Sequence, residues 1–304
     1  MFEGIVIKAT SGYYTVQSES GQFVCSLRGR LRKDDTIVTV GDRVQGEEVR
    51  PGVGVIETVL PRKSELIRPR VANVDQAVIV CALTQPEPDL NLLDRLLVVV
   101  GREGVGAILC FNKADLVSEY MGRKIARPYR KAGYTALVTS AMTGKGVKRL
   151  RSFLKGKISV FAGPSGVGKS ALANAIEPGL TLETGEISEK LGRGRHTTRH
   201  AQLLALQAGG FLVDTPGFSK LSLDGIEKEE LRFYFPEFLR YEGLCRFLGC
   251  LHYREPDCAV RAALQSGEIA RSRYDHYIQF LEEISAIGYE KKYDKGKGGR
   301  NVLE

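Results

Sequence analysis

Over the first sixty-odd residues apolar and polar side chains alternate with a period of two, and turn signals interrupt the alternation. Gly4–Ala9, Tyr13–Ser18, Gln22–Leu27, Arg43–Val49 and Gly54–Val59 read as strands, parted at Ser11-Gly12, Ser20-Gly21, Gly41-Asp42 and Pro51-Gly52. Five short strands with almost no helical periodicity predict an all-β barrel over residues 1–67. An OB-fold fits best, and an SH3-like barrel fits almost as well on pattern alone. The basic run Arg28-Gly29-Arg30-Leu31-Arg32-Lys33 reads as a loop on that barrel, a contact surface and a plain solvated loop being equally open.

From 68 to 220 the rhythm changes to continuous apolar runs separated by helical stretches, the pattern of a doubly wound α/β sheet. Gln76–Cys81, Val105–Phe111, Ala136–Thr139 and Ile158–Phe161 predict parallel strands buried on both faces, with Leu203–Leu206 and Phe211–Val213 as a further pair. Leu90–Val100 and Lys169–Ala175 are among the intervening helices. Residues 221–304 read as helical with one cysteine-rich interruption, ending in a basic Lys/Gly-rich tail, Lys291 to Arg300, expected to lack order.

Chemistry enters through three motifs, and their order matters more than any one of them. Asn112-Lys113-Ala114-Asp115 follows the strand ending at Phe111 and has the NKxD form that reads guanine. The Asp115 carboxylate can accept from N1–H and the exocyclic amine of guanine, whereas adenine offers no donors there. Asn112 tethers the loop, and the Lys113 stem can lie over the ring. Thr139-Ser140-Ala141, after the next strand, supplies a backbone N–H at Ala141 for the guanine carbonyl. Only afterwards comes the phosphate loop Gly163-Pro164-Ser165-Gly166-Val167-Gly168-Lys169-Ser170, between a strand and a helix as that motif requires. Its N–H groups and helix terminus suit phosphate, Lys169 the β/γ-phosphates, and the Ser170 hydroxyl Mg²⁺. Asp214-Thr215-Pro216-Gly217 ends a further strand and has the DxxG form, with Asp214 for the magnesium shell and the Gly217 N–H for the γ-phosphate. In ordinary GTPases the base-reading motif comes last of the three; here it comes first, so the chain reads as a circularly permuted GTPase.

Between the phosphate loop and Asp214 lies Gly192-Arg193-Gly194-Arg195-His196-Thr197-Thr198-Arg199-His200, a glycine-rich charged stretch that suits a nucleotide-ordered switch. Thr198, ahead of Thr197, is the candidate to complete the magnesium shell. Phe218 stands where many GTPases carry a water-orienting Gln, which implies slow intrinsic hydrolysis. His196 is the internal candidate to orient water; a contact to rRNA or solvent is equally open for it.

Cys245-x4-Cys250-x-His252-x5-Cys258 offers a Cys₃His set for a structural zinc ion, with no open position for catalysis. Cys25, Cys81 and Cys110 read as buried small hydrophobes, and His276, beside Tyr274 and Tyr277, as a packing residue. Six cysteines in 304 residues do not make a disulfide scaffold, and 43% hydrophobic with 26% charged residues describe a soluble globular chain. A net charge of +8 favours a polyanionic partner such as RNA. Met1-Phe2-Glu3-Gly4 leads straight into strand pattern, and no apolar run approaches the roughly 18 residues a membrane span needs. A cytoplasmic monomer without membrane contact is the expectation.

Together the motif order, His196-Thr197-Thr198 and the Cys245/Cys250/His252/Cys258 spacing resemble the ribosome small-subunit-dependent GTPase A family across essentially the whole chain. The resemblance implies GTP hydrolysis stimulated by the small ribosomal subunit late in its maturation, and rRNA contacts by the OB and zinc domains. It also implies a functional role for His196. Two rival readings are a nucleotide-gated RNA-binding module with incidental hydrolysis and an ATP-dependent RNA remodeller; Asp115 opposes the second. Because the segment after Asp214 leads toward the zinc domain, a nucleotide-driven clamp between barrel and zinc domain is a further expectation.

Overall fold

The computed structural model describes residues 1–33, 37–67, 70–180, 201–214 and 221–298. Strands β1 (Phe2–Thr10), β2 (Tyr13–Ser18), β3 (Gly21–Leu27), β4 (Arg43–Arg50) and β5 (Val53–Val59) close into a barrel in the order β1-β2-β3-β5-β4. The β3–β5 pair is parallel, and β1–β4 closes the barrel antiparallel, an OB-like arrangement. Alternation puts Phe2, Val6, Val16, Phe23, Cys25, Val44 and Ile56 inside. Phe2 stacks on Phe23 at 4.5 Å, and glycines 46 and 54 make room for its ring: a Cβ on either would come within 2.8 Å of it. The basic run predicted as a loop instead contains a short helix, α1 (Gly29–Lys33).

Two three-residue strands, β6 (Glu65–Ile67) and β7 (Arg70–Ala72), pair antiparallel beyond the barrel. The Arg62 guanidinium joins them to it, donating to both oxygens of buried Asp42 at 2.7 and 2.9 Å and to Glu65 at 2.7 Å.

The central sheet contains β8 (Gln76–Ala82), β9 (Gly106–Asn112), β10 (Thr135–Val138), β11 (Ile158–Ala162), β12 (Leu203–Ala205) and β13 (Phe211–Val213), ordered β10-β9-β8-β11-β13-β12. Every neighbouring pair is parallel except β12–β13. Helices α2 (Leu90–Arg102) and α3 (Glu119–Ala132) cover one face; α4 (Val147–Leu154) and α5 (Lys169–Ile176) cover the other. Within β8, Ala77, Ile79 and Cys81 face the α2 side and Val78, Val80 and Ala82 the α4 side, which is why this strand reads as an unbroken apolar run.

The C-terminal region packs on α2 and shares its core. It contains short helices Pro236–Leu239 and Ala259–Gln265 and a long one, Arg271–Gly298, which covers residues 291–298 of the stretch expected to lack order; the rest of that stretch lies outside the described residues. Arg273, 1% exposed, anchors it, with Nη1 donating to Asp94 of α2 at 2.6 Å and Nε and Nη2 to Glu237 at 2.7 and 3.0 Å. Its guanidinium lies 4.6 Å from the Phe235 ring centroid. At the sheet's opposite edge, Lys8 of β1 forms an antiparallel bridge with Gln202, so the barrel abuts β12. Among the described residues no helix is long and apolar enough to cross a membrane.

Candidate nucleotide and metal sites

Parallel strands deliver their C-terminal ends to one edge of the sheet, and the phosphate loop and base-reading loop meet there although their chain order is reversed. Gly163, at φ +132°, turns the chain out of β11 so close to β8 that a Cβ would sit 2.3 Å from the Val80 carbonyl oxygen. Gly168, at φ +92°, leaves room for Asn112: a Cβ there would lie 2.5 Å from its amide nitrogen. That amide, in a side chain 2% exposed, donates to the Val167 carbonyl at 3.0 Å and accepts from Thr139 Oγ1 at 3.3 Å. Asn112 thus joins the phosphate loop, the base-reading loop and the end of β10. Lys169 opens α5 and donates to the carbonyls of Gly163 and Pro164 at 2.9 and 2.7 Å. Burial lowers its pKa, so an anion beside its ammonium would relieve a desolvation cost.

Asp115 points a carboxylate at the surface, and fully buried Ser140 braces it, donating to Oδ1 at 2.5 Å while accepting the Thr143 N–H at 3.1 Å. Lys113 adopts the left-handed conformation, φ +62°, and its ammonium donates to the Gln85 carbonyl in the loop after β8. Pro86 of that loop faces Gly166. Sequence reasoning missed this strap, because nothing in Gln85-Pro86 marks it; a left-handed Gln85, φ +48°, and a cis Gln85-Pro86 peptide bond are visible only once the backbone is known.

Asp214 lies directly beyond β13, where Oδ1 accepts the Gln202 N–H at 3.1 Å. Burial raises its pKa, so a cation beside it would compensate as an anion would at Lys169. Asp214 and Ser170 are oxygen donors of the kind Mg²⁺ prefers. His196, Thr197, Thr198, His200, Gly217 and Phe218 lie outside the described residues.

The four candidate zinc ligands do converge, with their ligand atoms within 4.8 Å of one another. A tetrahedron with Zn–S about 2.3 Å and Zn–N about 2.05 Å has S···S edges of about 3.8 Å and S···N edges of about 3.6 Å. Cys245 and Cys258 sulfurs are 3.9 Å apart, and His252 Nδ1 lies 3.6 Å from Cys245 and 3.4 Å from Cys258, so the set fits zinc through Nδ1. Tyr274 donates to the His252 carbonyl and Tyr277 to the Leu251 carbonyl, each at 2.7 Å, fixing the loop to the long helix. Burial, aided by nearby Arg232, depresses the His252 pKa to about 4, which keeps the imidazole neutral as a ligand must be. His276 does more than pack: Nδ1 lies 2.6 Å from Asp94 Oδ2. Cys25, Cys81 and Cys110 are buried, as expected.

Comparison with known proteins agrees with this geometry. The RsgA N-terminal domain model matches residues 3–56 and the RsgA GTPase model residues 59–224. The chain is 52% identical over 285 residues to the small ribosomal subunit biogenesis GTPase RsgA of Moorella thermoacetica, covering 93% of this chain and 98% of that one. It superposes on the crystal structure of YjeQ from Thermotoga maritima with a TM-score of 0.82, at 42% identity and 93% and 98% coverage. It matches YloQ, a circularly permuted GTPase, with a TM-score of 0.81, at 39% identity and 94% and 96% coverage. With the RsgA GTPase model matching residues 59–224 and a relative 52% identical over nearly its full length, the chain belongs to the RsgA GTPase family, and its Asn112-linked phosphate and NKxD loops agree with that.

Proposed function

We propose that this chain hydrolyses GTP in response to the small ribosomal subunit, late in that subunit's maturation, and leaves it on hydrolysis. The observation that carries the catalytic half is the Asn112–Val167 bond, which makes the base-reading and phosphate loops one site. The ribosomal half is supported by the name that relatives of about 50% identity bear over nearly their full length.

In this reading Asn112, Lys113, Asp115, Ser140 and Ala141 hold guanine, with Ser140 aiming the Asp115 carboxylate. The N–H groups of residues 163–168 wrap the phosphates, and Lys169 exchanges its carbonyl partners for phosphate oxygens. Ser170 and Asp214, with Thr198, would hold Mg²⁺, which neutralises charge developing on the phosphate oxygens. The Gly217 N–H senses the γ-phosphate. His196 and the subunit are the candidates to orient water in place of the Gln that Phe218 replaces. Cys245, Cys250, His252 and Cys258 would hold one structural Zn²⁺ and set the shape of the C-terminal region. The chain acts as a cytoplasmic monomer, organised as a barrel (1–67), a permuted GTPase (68–220) and a zinc domain (221–304), with rRNA contacted by the first and last.

GTP turnover with and without purified small subunits, with Lys169→Ala as blank, tests this. Slow turnover that rises many-fold with small subunits, and not with large subunits or bulk RNA, is expected; equal rates throughout would overturn it. Phe218 favours one second reading, a GTP-gated RNA binder, and only in that case would Thr198→Ala keep both RNA affinity and cellular function.

A further inference from the structure

The positive charge of this chain is concentrated in one place. Residues 120–176 contain twelve lysines and arginines and not one aspartate or glutamate, whereas the whole chain nets +8 and everything else therefore nets −4. Residues 1–67 balance nine basic side chains against nine acidic ones, and residues 221–304 carry thirteen against fifteen. The barrel and the C-terminal region therefore cannot be the source of the net field.

The fold places the first part of that segment, α3, β10 and the start of α4, at one end of the sheet, while Lys155 to Ile176 lead back past the β12–β13 turn into β11 and α5. β10 is the edge strand; α3 precedes it on one face and α4 follows it on the other. Arg123 pairs with Glu119, Arg130 donates to the Ala136 carbonyl, and Arg151 reaches the Ile176 carbonyl. Lys124 and Arg127 on α3, and Lys145, Lys148 and Arg149 at the start of α4, are exposed and form no ion pair among the described residues. Protein surfaces ordinarily intersperse both signs, since like charges held together oppose folding. Tyr120, 71% exposed at the start of α3, adds a ring on which a base could stack. The strip begins on the base-reading side, where the Lys145 carbonyl accepts the Ser140 N–H at 2.9 Å.

We propose that the α3–β10–α4 end of the GTPase domain is an RNA-phosphate docking surface, lying at the sheet edge away from the barrel. The inference rests on the rRNA partner proposed above and relocates its main electrostatic contact. Its test is the quadruple variant Lys124→Glu/Arg127→Glu/Lys148→Glu/Arg149→Glu, with affinity for purified small subunits and for protein-free small-subunit rRNA measured across salt concentrations. Each lost phosphate contact removes about 0.7–0.9 from the slope of log affinity against log salt, so four flatten it by about 3. Affinity near 0.15 M salt should fall by at least about 10²-fold, with GDP affinity and subunit-free GTP turnover unchanged. Coincident salt slopes for variant and parent would overturn the proposal. Weaker binding to subunits with undiminished binding to naked rRNA would also overturn it, assigning the surface to an acidic ribosomal protein. If the parent ignores subunits but the variant still loses its slope on rRNA, the surface stands and the ribosomal function falls.

Discussion

Arg273 offers the sharpest test of how the C-terminal region is held to the GTPase domain. In Arg273→Met an apolar stem of similar length survives, and the guanidinium that serves two carboxylates and lies over the Phe235 ring is lost. Asp94 is fully buried and Glu237 is 5% exposed, so neither can turn to water. Asp94 keeps His276 at 2.6 Å, and the heavier loss falls on Glu237, whose two oxygens both bond Arg273. Breaking a buried pair from one side costs about 3–5 kcal/mol because a desolvated charge is orphaned. With a urea m-value of about 2 kcal/mol/M, the midpoint should fall by about 2 M. The triple change Arg273→Met/Asp94→Leu/Glu237→Leu removes the orphaned carboxylates too, leaving only partly exposed His276 to turn to water, and should recover most of that loss, since apolar replacement of a buried ion cluster is often neutral. Urea unfolding by circular dichroism of the three proteins decides it. A single variant within about 0.5 M of the parent would show that the network contributes little to stability. A triple variant no better than the single would assign the loss to packing.

Gly168→Ala should cost GDP affinity about 10²-fold or more, because the left-handed backbone and a Cβ 2.5 Å from the Asn112 amide together dismantle the Asn112–Val167 bond. Titration with a fluorescent GDP analogue, after circular dichroism confirms folding, measures it; affinity within about threefold of the parent would contradict the reasoning. The purified chain should contain one zinc per molecule by elemental analysis, and Cys258→Ser should lose it. That loss should open residues 221–298 to protease while GDP binding persists, since the site closes its own loop and its hydrogen bonds run to the C-terminal region's own residues.

The strands were legible where pattern and burial coincide. β8, buried on both faces, and the alternating barrel strands appear within a residue or two of their predicted bounds. β6 and β7 were not, because three residues hold too little of a period to register. The nucleotide and zinc residues were legible because their chemistry demands fixed local spacing. Arg273 was not: on a helix it reads as a solvated cation, and its partner Asp94 lies 179 residues away. His276 was legible only as a packing residue, stacked on Phe280, because its polar partner is also the distant Asp94. The acid-free stretch was in plain view, but a single net charge for the chain conceals it.

Circular permutation leaves the site intact and changes what hangs from it. In the order β9-β8-β11 the base-reading strand and the phosphate-loop strand flank β8, so the loop after β8 touches both, at Lys113 through Gln85 and at Gly166 through Pro86. That loop runs into α2, whose first turn is capped by Asp89, and the same helix carries the C-terminal region through Asn91–Gln279, Arg95–Glu283 and Asp94–Arg273. The zinc-bearing region is therefore bonded to the helix that follows the strap, in addition to being joined by chain to the segment after Asp214. At the other edge Asp214 accepts from Gln202, and Gln202 bridges Lys8 of the barrel. A shift of α2 would move the Gln85 carbonyl and with it Lys113; a change at Asp214 would reach the barrel through Gln202, which bonds both its carboxylate and its backbone N–H and bridges Lys8. Each outer unit thus has its own short mechanical connection to a different loop of the nucleotide site, which a clamp hinged only after Asp214 would not provide.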